Sequence, residues 1–328
     1  MWSRLVCPAT TSTNARNSVL KRAPANVAAV RFGPHDLAAV AGRVEIRPNF
    51  RPERLLFLFM LLTTVAHAQW LNFPTPGTPR TRDGKADLSA KAPRAPDGKP
   101  DLSGVWRTEP MPPGENSTVF DLPGDYPSTF SKYFFNILAD FKPEEAPIRP
   151  EAAALTRNNA GRGGNNPVSH CLPLGIPSAD LFTFAPFKII QARGLIMVMY
   201  EVDNTHRQIY TDGRKLPADP NPTWLGYSVG HWEGDTLVVD TAGFNDKSWL
   251  DAAGHPHSEA LRVEERFRRR DFGHLDLQVT VDDPKMYTKS VPVKVTELLI
   301  PDSDVLENFC NENEKDRPHL PAPPALAR

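Results

Sequence analysis

Only three cysteines occur in 328 residues, and no two of them are spaced as Cys-x-x-Cys. No Cys/His zinc pattern exists either, which removes the small zinc modules. GxSxG, HExxH and the P-loop are also missing, as is a Gly-x-Gly-x-x-Gly opening a helix. The familiar hydrolase, metalloprotease and nucleotide-binding signatures are therefore excluded. Gly161-Arg-Gly-Gly has the glycines, but no lysine and no preceding strand. Charge of one sign is lacking too: the net charge is -1. Past Ala68 the count is 29 basic against 36 acidic residues. That mildly acidic balance makes nucleic acid a poor partner. Apolar runs are scarce. Leu55–Val65 is the longest, well short of the ~20 residues that a membrane span needs, so no span is expected in the mature protein.

That one run is informative through its flanks. Arg51 and Arg54 precede it and Ala66-His67-Ala68 follows, the order of a secretory signal peptide over residues 51–68. A signal works at a true N-terminus. Residues 1–50 are therefore read as a disordered extension from a misassigned start, with Val44 as an alternative initiation site and an organelle transit peptide as the rival reading. The expected mature chain begins at Gln69 and is periplasmic or secreted. In that oxidising setting Cys171 and Cys310 form either a disulfide or two buried thiols.

Residues 69–100 read as a Pro-rich arm. Within it Asp83-Gly-Lys-Ala-Asp-Leu-Ser89 returns as Asp97-Gly-Lys-Pro-Asp-Leu-Ser103, each Asp-Gly making a turn. Residues 101–328 read as a single mainly-β domain. Helical patterns occur only at Tyr126–Asp140 and Pro150–Asn159, inside an insertion after the first strand. From Phe187 short strands follow one another. Arg193-Gly194 and Gly234-Asp235 are hairpin turns, and Leu261–Arg269 pairs with Leu275–Asp282 across Asp271-Phe-Gly273. Leu275, Leu277, Val279 and Val281 alternate with polar residues, so one face is wet. The expected fold is an antiparallel meander forming a barrel or strongly curved sheet, calycin-like, with one or two short helices in the insertion.

Three motifs carry a resemblance: Asp97-Gly-Lys-Pro-Asp-Leu-Ser-Gly-Val-Trp106, Arg207-Gln-Ile-Tyr-Thr-Asp-Gly-Arg214 and Gly226-Tyr-Ser-Val-Gly-His-Trp-Glu-Gly-Asp-Thr-Leu-Val-Val-Asp240. Together they resemble an uncharacterised family of exported bacterial proteins, which implies export and no particular activity. Gly104-x-Trp106 also looks like the lipocalin opening motif. That resemblance implies a Trp closing one barrel end against a late arginine, here Arg266 of Glu-Arg-Phe or Arg262.

The candidate site residues lie in the β region. His206, Gln208 and Tyr210 share one face of a strand, while Arg207 and Ile209 share the other. His206 has the chemistry of a general base and Tyr210 that of a proton donor. Arg214 suits an anionic group or a structural carboxylate pair. Tyr227, Trp232 and Trp249 supply aromatic surface. The long polar loop Gly243–Glu259 adds Asp246, His255 and His257 and reads as the best functional candidate, with an ordered lid bearing exposed histidines as the alternative. No metal and no cofactor is assigned. The catalytic set is His206, His257 and Asp246; the ligand-binding set is Tyr210, Arg214, Tyr227, Trp232 and Trp249. The leading expectation is a soluble exported protein holding a small amphipathic or carbohydrate-like ligand in a barrel pocket. An enzyme of the same fold using His/carboxylate acid–base chemistry, or a cell-surface interaction module, are the alternatives. Oligomeric state is not readable from the chain.

Overall fold

The computed structural model describes residues 74–110, 135–160 and 166–310. The expected extension, the signal peptide and most of Tyr126–Asp140 lie outside them. The described end of that last stretch, residues 135–140, ends in a turn and forms no helix.

Nine strands close into a barrel in sequence order. They are β1 (Gly104–Thr108), β2 (Phe187–Ala192), β3 (Leu195–Tyr200), β4 (His206–Tyr210), β5 (Tyr227–Glu233), β6 (Thr236–Ala242), β7 (Arg262–Arg269), β8 (His274–Asp282) and β9 (Val291–Leu299). Among the described residues, one α-helix, α1 (Pro150–Ala160), sits in the insertion between β1 and β2. A closed ring with an odd number of strands cannot alternate direction at every step, so a parallel pair is a geometric necessity. It falls between β4 and β5, and all the other pairings are antiparallel. The parallel seam is short, with only Ile209↔Ser228 and Tyr210↔Val229 in register.

This seam sets which connections meet. Residues 211–226 must travel the length of the barrel to start β5 in the direction of β4. As a result the turns at Arg193-Gly194 and Gly234-Asp235 share one end, here called upper, and residues 201–205 and 243–261 share the lower end. A strict meander would have placed the two turns at opposite ends. The insertion between β1 and β2 also lies at the lower end.

Interior positions follow the two-residue period of each strand. Val263, Phe267, Leu275, Leu277, Val279, Val281, Val291 and Val293 are all buried. Trp106, Phe187, Ile189, Ile196 and Val198 complete the same core from the other side. At the upper end the Arg269 guanidinium stacks 4.9 Å from the Trp106 ring. The arginine over Trp106 is Arg269 and not the expected Arg262 or Arg266. The reason is phase: on β7 residues 263, 265, 267 and 269 are buried, while 262, 264, 266 and 268 are not.

The arm folds onto the upper end as two copies of one loop. In the first, Thr81 N–H donates to Lys85 O and Asp87 N–H to Pro79 O; in the second, Ala95 N–H donates to Lys99 O and Asp101 N–H to Pro93 O. Arg80 and Arg94 close their own loops on Gly84 O and Gly98 O. Each arginine also reaches a distant carboxylate, Asp302 at 2.6 Å and Asp235 at 2.8 Å. The repeat therefore spans fourteen-residue units beginning at Pro79 and Pro93, longer than the Asp-Gly-Lys echo alone. Phe272 and Gly273 N–H donate to Ala90 O and Leu88 O, and a Cβ at Gly273 would stand 2.5 Å from Leu88 Cβ. Only glycine permits that approach.

Beyond β9 the chain runs back along the outside. Lys188 pairs with Asp304 at 2.8 Å, and Asn204 Nδ2 donates to Asn308 O at 2.7 Å. Cys310 then forms a disulfide with Cys171 of the insertion, Cα–Cα 5.5 Å. That resolves the cysteine alternative in favour of the bond, which closes a loop across a separation of 139 residues.

Candidate functional site

The four expected residues nearest the seam assemble on the outer wall. Ile209 faces the core, buried at 1% exposure, so the alternation of β4 turns His206, Gln208 and Tyr210 outward. Because β5 is staggered along β4 in parallel, Tyr227 lands beside Tyr210 and their rings stack at 5.3 Å. Arg214 folds back over the Tyr210 ring at 3.7 Å and donates to the Tyr227 hydroxyl at 3.0 Å. Its charge is already matched by Asp212 at 2.7 Å. Hydrogen bonding to Asp212 holds Arg214 above its ordinary pKa, and the Asp212 carboxyl below its own.

A groove of about 500 Å³ follows the seam. Its walls include His206, Gln208, Tyr210, Trp224, Leu225 and Tyr227. The segment carrying Trp224 is held in place by the start of the 243–259 loop. Thr223 N–H donates to Gly243 O, and Asn245 N–H to Thr223 O.

The rest of that loop turns inward. His255 and His257 are 4% and 3% exposed. His255 Nδ1 lies 2.6 Å from Asp251 Oδ2. His257 Nδ1 donates to Ser258 O, so Nε2 accepts from the Ser248 hydroxyl at 2.8 Å. Burial pushes the His257 pKa down, which keeps the ring neutral and suited to that acceptor role. Asp283 anchors the turn through Ser258 N–H and its hydroxyl. The two imidazoles bind different partners, and among the described residues no three His, Cys, Asp or Glu side chains gather as metal ligands.

The other expected residues are spread. Asp246 is exposed on the lower loop. Trp249 lines a small pocket of about 110 Å³ beneath the insertion. Trp232 sits at the far end of β5, with Lys99 of the arm 6.0 Å from its ring. The structure thus joins His206, Tyr210, Arg214 and Tyr227, and separates Trp232 from them. His257 is enclosed in the lower loop rather than lining the groove.

Beneath the groove is a charged cluster that the candidate list lacks. Arg207, 2% exposed, uses all five N–H hydrogens. Nε donates to Ser228 Oγ at 2.9 Å, Nη2 to Thr241 Oγ1 at 2.8 Å, Nη1 to Asp180 Oδ2 at 3.2 Å and Glu265 Oε1 at 3.0 Å. The fifth bond runs from Nη2 to Glu265 Oε2. Tyr200 donates to Asp180 Oδ1 at 2.6 Å. Burial lowers the Arg207 pKa, but the two carboxylates outweigh it and hold the cation above its ordinary value. Burial and the neighbouring Glu265 charge push Asp180 well up. Glu297, raised by burial, has one Thr108 bond and one oxygen with no partner among the described residues.

The sequence holds a signal for most of this. Arg207, Glu265 and Glu297 each occupy an apolar-phase position, two residues from Ile209, from Val263 and Phe267, and from Val295 and Leu299. Charge in that phase marks a buried pair. Asp180 lies in a non-periodic segment and carries no such mark. Neither known protein families, nor curated proteins, nor solved structures match this chain.

Proposed function

We propose that this is an exported binding protein for a small, neutral, carbohydrate-like ligand, held in the β4–β5 groove. One observation carries the reading. The groove offers aromatic surface from Tyr210, Trp224 and Tyr227 beside hydrogen-bonding groups; Arg207, the cation in its lining, spends its charge on the buried carboxylates beneath, and among the described residues no carboxylate lines it. Sugars present apolar C–H faces to aromatic rings and hydroxyls to amide, imidazole and hydroxyl partners, so this lining matches them. The volume of about 500 Å³ lies within the ~300–1,000 Å³ range of small-molecule sites. With no carboxylate in the wall among the described residues, His206 has no acid partner there, which favours binding over acid–base catalysis. Export rests on the signal-like order of residues 51–68; no helix among the described residues is long and apolar enough to cross a membrane.

Titration calorimetry with a panel of soluble di- and trisaccharides tests the site. At least one should bind, and Tyr227→Ala should weaken it about tenfold, or ~1.4 kcal/mol. A panel that fails throughout, or a Tyr227→Ala variant of unchanged affinity, refutes the assignment.

A further inference from the structure

A second cavity, of about 660 Å³, lies between the start of the arm and the outer wall of β1 and β2. Its surface includes Val105, Ile190, Phe272, Leu299 and Ile300. Ile190 is 42% exposed, large and apolar on an outer strand face. The near side is closed by residues 75–78, strapped down through Asp302. Thr75 N–H donates to Asp302 Oδ1 at 2.7 Å, and Asp302 N–H to Thr75 Oγ1 at 3.0 Å. Arg80 adds its ion pair to the same carboxylate.

Two cations form part of this wall, and they differ. Lys188 is matched by Asp304. Arg269 has no carboxylate within ion-pair distance among the described residues. Its Nε donates to Asp271 O, its Nη1 to Asp101 O and Ser103 O, and its Nη2 to Phe272 O. Four of its five N–H hydrogens therefore meet neutral carbonyls, and the fifth, on Nη2, has no partner among the described residues. The side chain is 6% exposed. Two carboxylates share the wall: Asp304 is taken by Lys188, and Asp101 accepts the Ser103 N–H at 2.9 Å. Burial lowers the Arg269 pKa to about 10 even though Asp101 and Asp271 act to raise it, so the surrounding charge does not compensate the buried cation.

We propose that this cavity is a second binding site, for a single-chain amphiphile whose carboxylate head pairs with Arg269 and whose tail lies along Ile190 and Ile300. A buried guanidinium short of an anion, beside apolar walls, is complementary to that chemistry and to neither a neutral nor a cationic head. The site lies outside the barrel interior and is independent of the seam groove.

Calorimetry on the whole protein with dodecanoate, dodecanol and dodecylamine, each below its micelle concentration or solubility limit, tests it. Dodecanoate should bind at least tenfold more tightly than either of the others. Ile190→Glu alters an exposed side chain, so the fold is retained, and it should weaken dodecanoate at least tenfold while leaving saccharide binding unchanged. Equal binding of dodecanol overturns the carboxylate assignment. No dodecanoate binding below 1 mM, or an Ile190→Glu variant that binds as before, overturns the site.

Discussion

Arg207→Met should be among the most damaging single changes in this protein. Arginine bridges four strands and the insertion: its own β4, Ser228 on β5, Thr241 on β6, Glu265 on β7, and Asp180. Methionine fills part of the volume but leaves Glu265, at 0% exposure, with no cation. Removing one partner of a buried pair costs about 3–5 kcal/mol, because the other charge stays buried. The loss is compounded at the seam, where only two residue pairs hold β4 to β5 and the Arg207–Ser228 bond supplements them. For a domain of this size each kcal/mol moves Tm by ~2–4 °C, so a fall of roughly 10 °C is expected at pH 7. Urea unfolding followed by tryptophan fluorescence gives the free energy directly. Arg207→Met/Glu265→Leu should recover only part of the loss, since it removes one stranded carboxylate and leaves the buried Asp180 without its cation. A single variant within about 1 kcal/mol of the parent refutes the reasoning.

Glu297→Gln should stabilise the protein at pH 7 by about 1 kcal/mol, since it removes a buried ionisable group with an unpartnered oxygen. The sign follows from linkage. An acid whose folded pKa is raised stabilises fully below its unfolded value, and that contribution is lost as pH rises through the folded one. The parent should thus lose stability relative to Glu297→Gln as pH climbs above ~4.5, and parallel unfolding curves across that range would falsify this. Gly273→Ala should cost about 1–3 kcal/mol by overpacking against Leu88 and should speed proteolysis within residues 74–100, read by peptide mapping. Reducing Cys171–Cys310 should cost about 2–5 kcal/mol; equal melting temperatures with and without reductant would contradict it.

The regular parts of the fold are legible because their signals are local. The alternation in β8, the two-residue turns at 193–194 and 234–235, and the Gly-x-Trp opening need no knowledge of distant residues. What is not legible is register between distant segments. No feature of residues 211–226 announces that they cross the barrel, yet that crossing puts Tyr227 beside Tyr210 and removes Trp232 from the site. The loop 243–259 misleads for a related reason. Its composition is polar, but Ser248, Asp251, His255 and His257 satisfy one another or nearby backbone, so a loop rich in polar residues becomes buried structure. Composition reports what a group is, while burial depends on who its partner is.

Parity connects these observations. A barrel of nine strands must contain a parallel step, and a parallel step needs a long connection and gives a short, poorly paired seam. In this chain the seam coincides with the buried arginine on its inner side and with the aromatic groove on its outer side. The coincidence has a physical basis. Where ladder hydrogen bonds are few, side chains must hold the strands together, and Arg207 does so from within through Ser228. Where two strands are staggered and diverge, the outer surface is left concave, and the residues flanking the divergence, His206 and Tyr227, become its walls. The weakest join of the barrel therefore lies under the groove proposed to take the ligand, and loosening Arg207 should weaken both the seam and the groove above it.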